Sequence, residues 1–187
     1  MMKMYPLFII LSFQFILTSC HYQFGRGELS LQYGTISVPY VKGDQKGELT
    51  ADIIKRLGTS GAFHYVTHGG DLTLKVEIIE FREENLEFRY DRKKTGELKN
   101  SIIPTETRVT ITAEILLIES GTGRTIRGPV RISANAEFDH TYYATRNEIN
   151  IFSLSQLNDF DAARDAVMHP INRNLAEKIV DYVMNSW

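Results

Sequence analysis

Few residues have the chemistry to act, and their spacing argues against catalysis. Five histidines, His21, His64, His68, His140 and His169, are scattered along the 187 residues. Only His64 and His68 are four apart, as two ligands on one helix face would be. Tyr65-Val66-Thr67 between them and Gly69-Gly70 after them speak instead for a strand running into a turn. With no cysteine or carboxylate beside them they complete no zinc set, and no metal site is expected. Asp139-His140 has the elements of half a catalytic pair, yet the nearest serines form no nucleophile elbow. Phosphate-loop and zinc-peptidase motifs are absent too. Gly25-Arg26-Gly27 follows no strand and reads as linker. No catalytic residue and no cofactor is expected, and so no enzyme.

What stands out is basic charge. Arg89, Arg92, Lys93, Lys94 and Lys99 face only Asp91 and Glu97 across one short stretch, in a chain of net charge −2. On a hairpin tip, arginine forks and lysine point charges suit phosphates. The plainer reading is a loop that its charge keeps solvated. Arg124, Arg127 and Arg131 border the next hairpin. Arg127 and Arg131 fall on one side of an extended strand unless Gly128-Pro129 breaks the register.

The one cysteine, Cys20, cannot form an internal disulfide. It follows an apolar run from Pro6 to Leu17, broken only by Ser12 and Gln14 and preceded by Lys3. A dozen or so residues cannot cross a ~30 Å hydrocarbon core, but they suit a secretory signal peptide. The stretch Leu17-Thr18-Ser19-Cys20 resembles the lipobox of bacterial lipoproteins, the alternative being an ordinary buried thiol. The resemblance implies a signal peptide over 1–19 and a lipidated Cys20, with palmitate among its acyl chains. Each buried CH₂ contributes about 0.8 kcal/mol, and two anchoring signals suffice for stable attachment. His21, where an Asp often marks inner-membrane retention, favours the periplasmic side of the outer membrane.

The 168 residues from Cys20 onward are one domain's worth. Hydrophobic content of 43% supports a core, and the slight acidity is no nucleic-acid footprint. Residues 20–34 read as the lead from the lipid, and 35–187 as one α+β domain. In Thr35 to Val41, Ile36, Val38 and Tyr40 alternate as in a strand, with Pro39 placing it at an edge or bulge. Between Gln45 and Leu57, Leu49, Ile53, Ile54 and Leu57 share a helical face, with Gly58 as terminator.

Three alternating strands follow. Leu72, Leu74, Val76 and Ile78 face inward in the first; after Glu83-Glu84-Asn85 the rhythm resumes at Leu86, Phe88 and Tyr90. The second runs through Val109, Ile111, Ala113, Ile115 and Leu117. The turn Ser120 to Gly123 leads to the third, with Val130, Ile132, Ala134, Ala136 and Phe138 inward. Such alternation marks antiparallel strands with one buried face. From Asp161 to about Asn185 an apolar stripe at steps of four, from Ala163 to Val183, supplies a covering helix. Asp159 and Asp161 are its candidate caps, and Pro170 calls for a kink or two abutting helices. The expected fold is a two-layer sandwich: a four-stranded, mostly antiparallel mixed sheet with two helices on one face.

In this order the parts resemble the LPS-assembly lipoprotein family (LptE). The likeness runs through Cys20 to Gly27, the strand Thr35 to Val41, the helix end Ile53 to Leu57 and the strand Asp71 to Ile79. It continues through Glu106 to Glu114, the Gly121-Thr122-Gly123 turn and Leu175 to Val180, and departs after Phe138 and at Pro170. It implies an outer-membrane lipoprotein that plugs or assists a β-barrel translocon and helps insert lipopolysaccharide into the outer leaflet. The barrel and lipopolysaccharide are the implied partners, and Arg92, Lys93, Lys94 and Arg127 match the basic character of the family's headgroup contacts. The alternative is an envelope scaffold lipoprotein that activates a cell-wall synthase or builds a secretion pore.

Overall fold

A computed structural model of the chain describes residues 28–92, 95–139 and 154–185. The chain enters through a short helix, α1 (Glu28–Gln32), and a three-residue strand, β1 (Thr35–Ser37). Pro39 has no N–H to give a ladder, so β1 is shorter than its apolar alternation. Ile36, Val38 and Val41 are buried, whereas Tyr40 turns outward and its hydroxyl donates to the Asp44 carbonyl. The Val41 N–H donates instead to Thr50 Oγ1.

Helix α2 (Glu48–Ser60) buries Leu49, Ile53 and Leu57 as their spacing requires. It begins later than Gln45 and runs through Gly58. The left-handed terminator is Gly61, at φ +66°. At its start Gly47 offers no side-chain cap. The buried Asp44 carboxylate serves there, accepting from the Thr50 N–H and hydroxyl, both at 2.8 Å.

Strand β2 (His64–Tyr65) then pairs parallel with β1, and β1 parallel with β3 (Leu72–Arg92). β3, β4 (Leu98–Glu119) and β5 (Thr125–Asp139) form an antiparallel meander. The sheet therefore has five strands, in the order β2-β1-β3-β4-β5, rather than four. The extra strand is two residues long, too short to show a period.

The first two expected segments of β3 are one strand with an irregularity. Ile78 lies opposite Ala113 but Glu80 opposite Thr112, so Ile79 is a bulge. One extra residue turns the side chains that follow to the other face, until the next shift after Asn85. Phe81 and Glu83 consequently lie opposite Ile111 and Val109 on the helix side. Phe88 and Tyr90, expected inward, are 52% and 59% exposed.

Helix α3 (Leu154–Asn185) is one helix with Pro170 inside it, not two. Pro170 lies on the exposed side, where water can take the Ala166 carbonyl whose N–H partner it removes. The helix starts before Asp159 and Asp161, which are therefore no caps. Its stripe is real: Ile171, Leu175, Ile179 and Val183 are fully buried with Leu74, Ile111 and Ile115 in the core shared with α2. Phe160 packs on Phe138 at 5.4 Å, and Arg164 pairs with Glu83 while covering the Phe81 ring at 5.4 Å. The Lys178 ammonium donates to the Ser133 carbonyl at 2.9 Å, blunting the open edge of β5.

The β1–β3 junction is close enough to test. A Cβ on Gly70 would lie 2.8 Å from the Ser37 nitrogen and 2.9 Å from the Ile36 carbonyl carbon. Gly121 has open space around it. In urea unfolding, Gly70→Ala should cost about 1–3 kcal/mol and Gly121→Ala less than about 0.5 kcal/mol. Equal midpoints would show that the junction is looser than described.

Candidate functional site

The sheet's longest feature is a hairpin that outruns its neighbours. The last pair between β4 and β5 is Glu106 with Asp139, and beyond it, among the described residues, only β3 and β4 continue. Eight further residues of β4, from Leu98 to Thr105, extend it by roughly 25 Å. Phe88 opposes Pro104, Tyr90 opposes Ile102 and Arg92 opposes Leu98, with several register shifts that add twist. Gly96, at φ +87°, lets the chain reverse. Phe88 and Tyr90 are exposed because neither helices nor β5 reach over them; the alternation that suggested burial carries no information about the length of the cover. Of the basic tip, Arg92 ends β3, while Lys93 and Lys94 lie outside the described residues.

The second arginine cluster is dispersed, and far away. Gly128 takes φ +90°, and a Cβ there would come 2.4 Å from the Ile115 carbonyl oxygen. The register shifts at this point: Val130 opposes Ile115 and Arg127 opposes Leu117. Arg127 and Arg131 therefore occupy opposite faces. Arg131 meets Glu114 on the open face at 3.6 Å. Arg127 is half-buried and donates to the Tyr182 carbonyl at 3.4 Å, in the last turn of α3, where a cation suits the helix dipole. Arg124 lies 3.6 Å from Glu119. Arg92 pairs with Leu98 and Arg127 with Leu117, ends of β4 about 60 Å apart along the strand. Arg127 and Arg92 do not share a site.

Carboxylates organise both ends of the sheet. At the Arg127 end, Asp71 Oδ2 accepts from the Thr35 hydroxyl, the Thr35 N–H and the Gly34 N–H at 2.8–3.0 Å. These bonds, the hydroxyl first, hold its pKa below the ordinary range. Glu119 is likewise lowered, by the Thr122 hydroxyl and then by Tyr33, whose phenol donates at 2.9 Å. Together they clasp the entering chain to the β4–β5 turn. At the hairpin's base, Glu87, Glu106 and Asp139 lie in one row across three strands. Partial burial, then Glu137, Asp139 and Glu87, push the Glu106 pKa up. Arg108 stands beside the row and bonds Glu137 through Nε at 2.8 Å.

His64 and His68 are exposed, in β2 and the bend after it, and His169 Nδ1 lies 3.3 Å from Glu48. Among the described residues no three His, Cys, Asp or Glu side chains are grouped to hold a metal ion. His140 and Cys20 lie outside the described residues. Within them, no helix is long and apolar enough to cross a membrane.

The family model for lipopolysaccharide assembly, LptE, matches residues 33–183. The chain belongs to the LptE family. Its match begins just before β1 and ends in the last turns of α3, so it takes in the whole sandwich. Lipoprotein B from Nitrosomonas europaea shares the fold, at 8% identity over 81% of this chain and 83% of that one, with a TM-score of 0.50. Rare lipoprotein B from Shewanella oneidensis is 12% identical over 80% and 93%, with a TM-score of 0.48. A minor lipoprotein from Acinetobacter baumannii is 14% identical over 81% and 91%, with a TM-score of 0.45. No curated protein matches in sequence. As an LptE member the chain is a lipoprotein of lipopolysaccharide assembly.

The carboxylate row gives the LptE domain a pH signature at its hairpin. A carboxyl whose pKa rises on folding destabilises the fold while it is ionised, and the penalty fades as pH falls through its folded and then its unfolded value. Glu106→Gln should therefore raise the melting temperature at pH 7, with the gap to wild type closing below about pH 4. Thermal melts across that range check it, and a gap independent of pH would refute the electrostatic cause.

Proposed function

We propose that this LptE-family protein is held by lipids on Cys20 at the periplasmic side of the outer membrane. There it sits in or against a β-barrel translocon and helps insert lipopolysaccharide into the outer leaflet. The family match across the whole sandwich carries this reading. Size supports a handoff rather than enclosure. Two clefts among the described residues measure about 420 and 320 Å³, small-molecule dimensions rather than those of a glycolipid with several acyl chains. What such a domain can offer is surface, and its hairpin offers the most. Arg92, Lys93 and Lys94 at the tip would meet headgroup phosphates as forks and point charges. Arg127, occupied at the other end of the sheet, has a structural task.

Affinity purification from membranes with the lipid anchor intact should recover a large β-barrel protein in mild detergent. Repeated recovery of a lone monomer, or of a peptidoglycan synthase, would overturn the proposal. Each basic residue near an anionic lipid surface contributes about 1 kcal/mol. Reversing Arg92, Lys93 and Lys94 to Glu should thus weaken lipopolysaccharide binding at least about tenfold at an unchanged melting temperature. Arg127→Ala should do the opposite, lowering the melting temperature and sparing the affinity. Unchanged binding in the triple variant would remove the tip from the site.

A further inference from the structure

The cleft of about 420 Å³ opens on the helix side of the sheet, between residues 43–48, the middle of α3 and strands β3 and β4. It exists because the helices are unequal. At 1.5 Å per residue α2 spans roughly 20 Å and α3 roughly 48 Å, so half of α3 has no helix beside it. The strands below are left uncovered there. Ile78, Phe81, Ile111 and Met168 give the cleft an apolar lining.

One polar group in it is only half satisfied among the described residues. Asn172 is 6% exposed, and its Nδ2 donates to Glu48 Oε2 at 3.1 Å. Its Oδ1 accepts no bond from any described residue. A buried acceptor without a donor is costly, and such groups call for a partner. The charges of the rim, by contrast, are already matched. Lys46 pairs with Asp165 at 3.3 Å, Arg164 with Glu83, and Glu48 faces His169 as well as Asn172. Asp44 is engaged by Thr50.

An occupant must therefore be neutral, largely apolar, and carry one N–H or O–H donor. A phosphate would face the carboxylates of Asp44, Glu48 and Asp165. An acyl chain would cover the floor and leave Asn172 unpaired. Tryptophan and tyrosine side chains combine an apolar ring with a single donor, and Met168 brings an adaptable sulfur that favours aromatic neighbours. We propose that this cleft receives a tryptophan or tyrosine side chain from a loop of a protein partner, its donor bonding Asn172 Oδ1. The proposed function bears only on which protein presents that loop, the barrel being the partner it names.

The test uses the full chain in detergent, with methionine methyls labelled for NMR and N-acetyl-tryptophanamide as probe. The Met168 methyl and the Asn172 side-chain amide should shift saturably. N-acetyl-phenylalaninamide, which shares the backbone amides but has a ring without a side-chain donor, should require about fivefold more or greater. Asn172→Leu should abolish that difference, and Met168→Trp, which fills the cleft from α3, should abolish binding. No saturable shift at Met168, equal affinities for the two probes in wild type, or undiminished binding in Met168→Trp would each overturn the inference. The two-probe comparison in wild type decides even if Asn172→Leu does not fold. None of these outcomes depends on recovery of a barrel, so the two proposals fail separately.

Discussion

The inner face of β3, β4 and β5 is apolar along most of its length, and the stripe Ile171, Leu175, Ile179, Val183 on α3 must keep it from water. Burial of each such side chain contributes about 1.5–3 kcal/mol, and these four are fully buried. Where α3 and α2 lie together, the sheet shows strict alternation and full burial. Where α3 lies alone, a cleft opens beside it. Past the start of α3, the strands continue as a two-stranded ribbon. The lengths of two helices thus divide one sheet into three environments, and each has its own side chains: apolar in the first, mixed in the second, aromatic and charged in the third.

Two local irregularities refine this division. At Ile79 one extra residue in β3 turns Phe81 and Glu83 toward α3, where Arg164 engages both. Without it the same face would carry Glu80 and Arg82. At Gly128 the shift in register sends Arg127 under the end of α3 and Arg131 to the open face. In each case a positive side chain ends up answering a specific need, a carboxylate at one end and the carbonyl terminus of a helix at the other. Arg164 and Arg127 therefore fasten α3 at two points along its length rather than gathering in a patch.

Most of the fold was legible because alternation and helical stripes are one-dimensional signals of burial. Leu72 to Val76, Val109 to Leu117 and Ile171 to Val183 lie as their periods require. What escaped was whatever depends on a count of residues in a partner element. Ile79 is apolar and fits either phase, so nothing local marks it as the bulge. Gly58 and Gly61 are equally good helix terminators by type, and the helix ends at the later one. Asp159 and Asp161 have cap chemistry yet sit inside a helix that begins several residues earlier. The basic tip was visible as a composition, but its distance from Arg127 follows from antiparallel pairing over the whole of β4. Asn172 gave no signal at all, since an asparagine on a helix is buried or solvated according to its neighbour in space.

The ends of the sheet differ in how they are fixed, and this follows from the same geometry. At the Arg127 end, Asp71 and Glu119 bind donors from the entering chain, and both carboxyls are stabilised as anions. At the hairpin's base, Glu106 shares a row with other acids and is driven toward its neutral form. One end gains from ionisation and the other loses. An isolated two-stranded ribbon is marginally stable in water, and here its root carries an electrostatic penalty as well. The hairpin is thus held in place by the sheet from which it grows, with little reserve of its own. A surface partner that neutralised the carboxylate row or covered Phe88 and Tyr90 would stabilise the ribbon directly, while leaving the clasped end, with its matched charges, nearly unaffected.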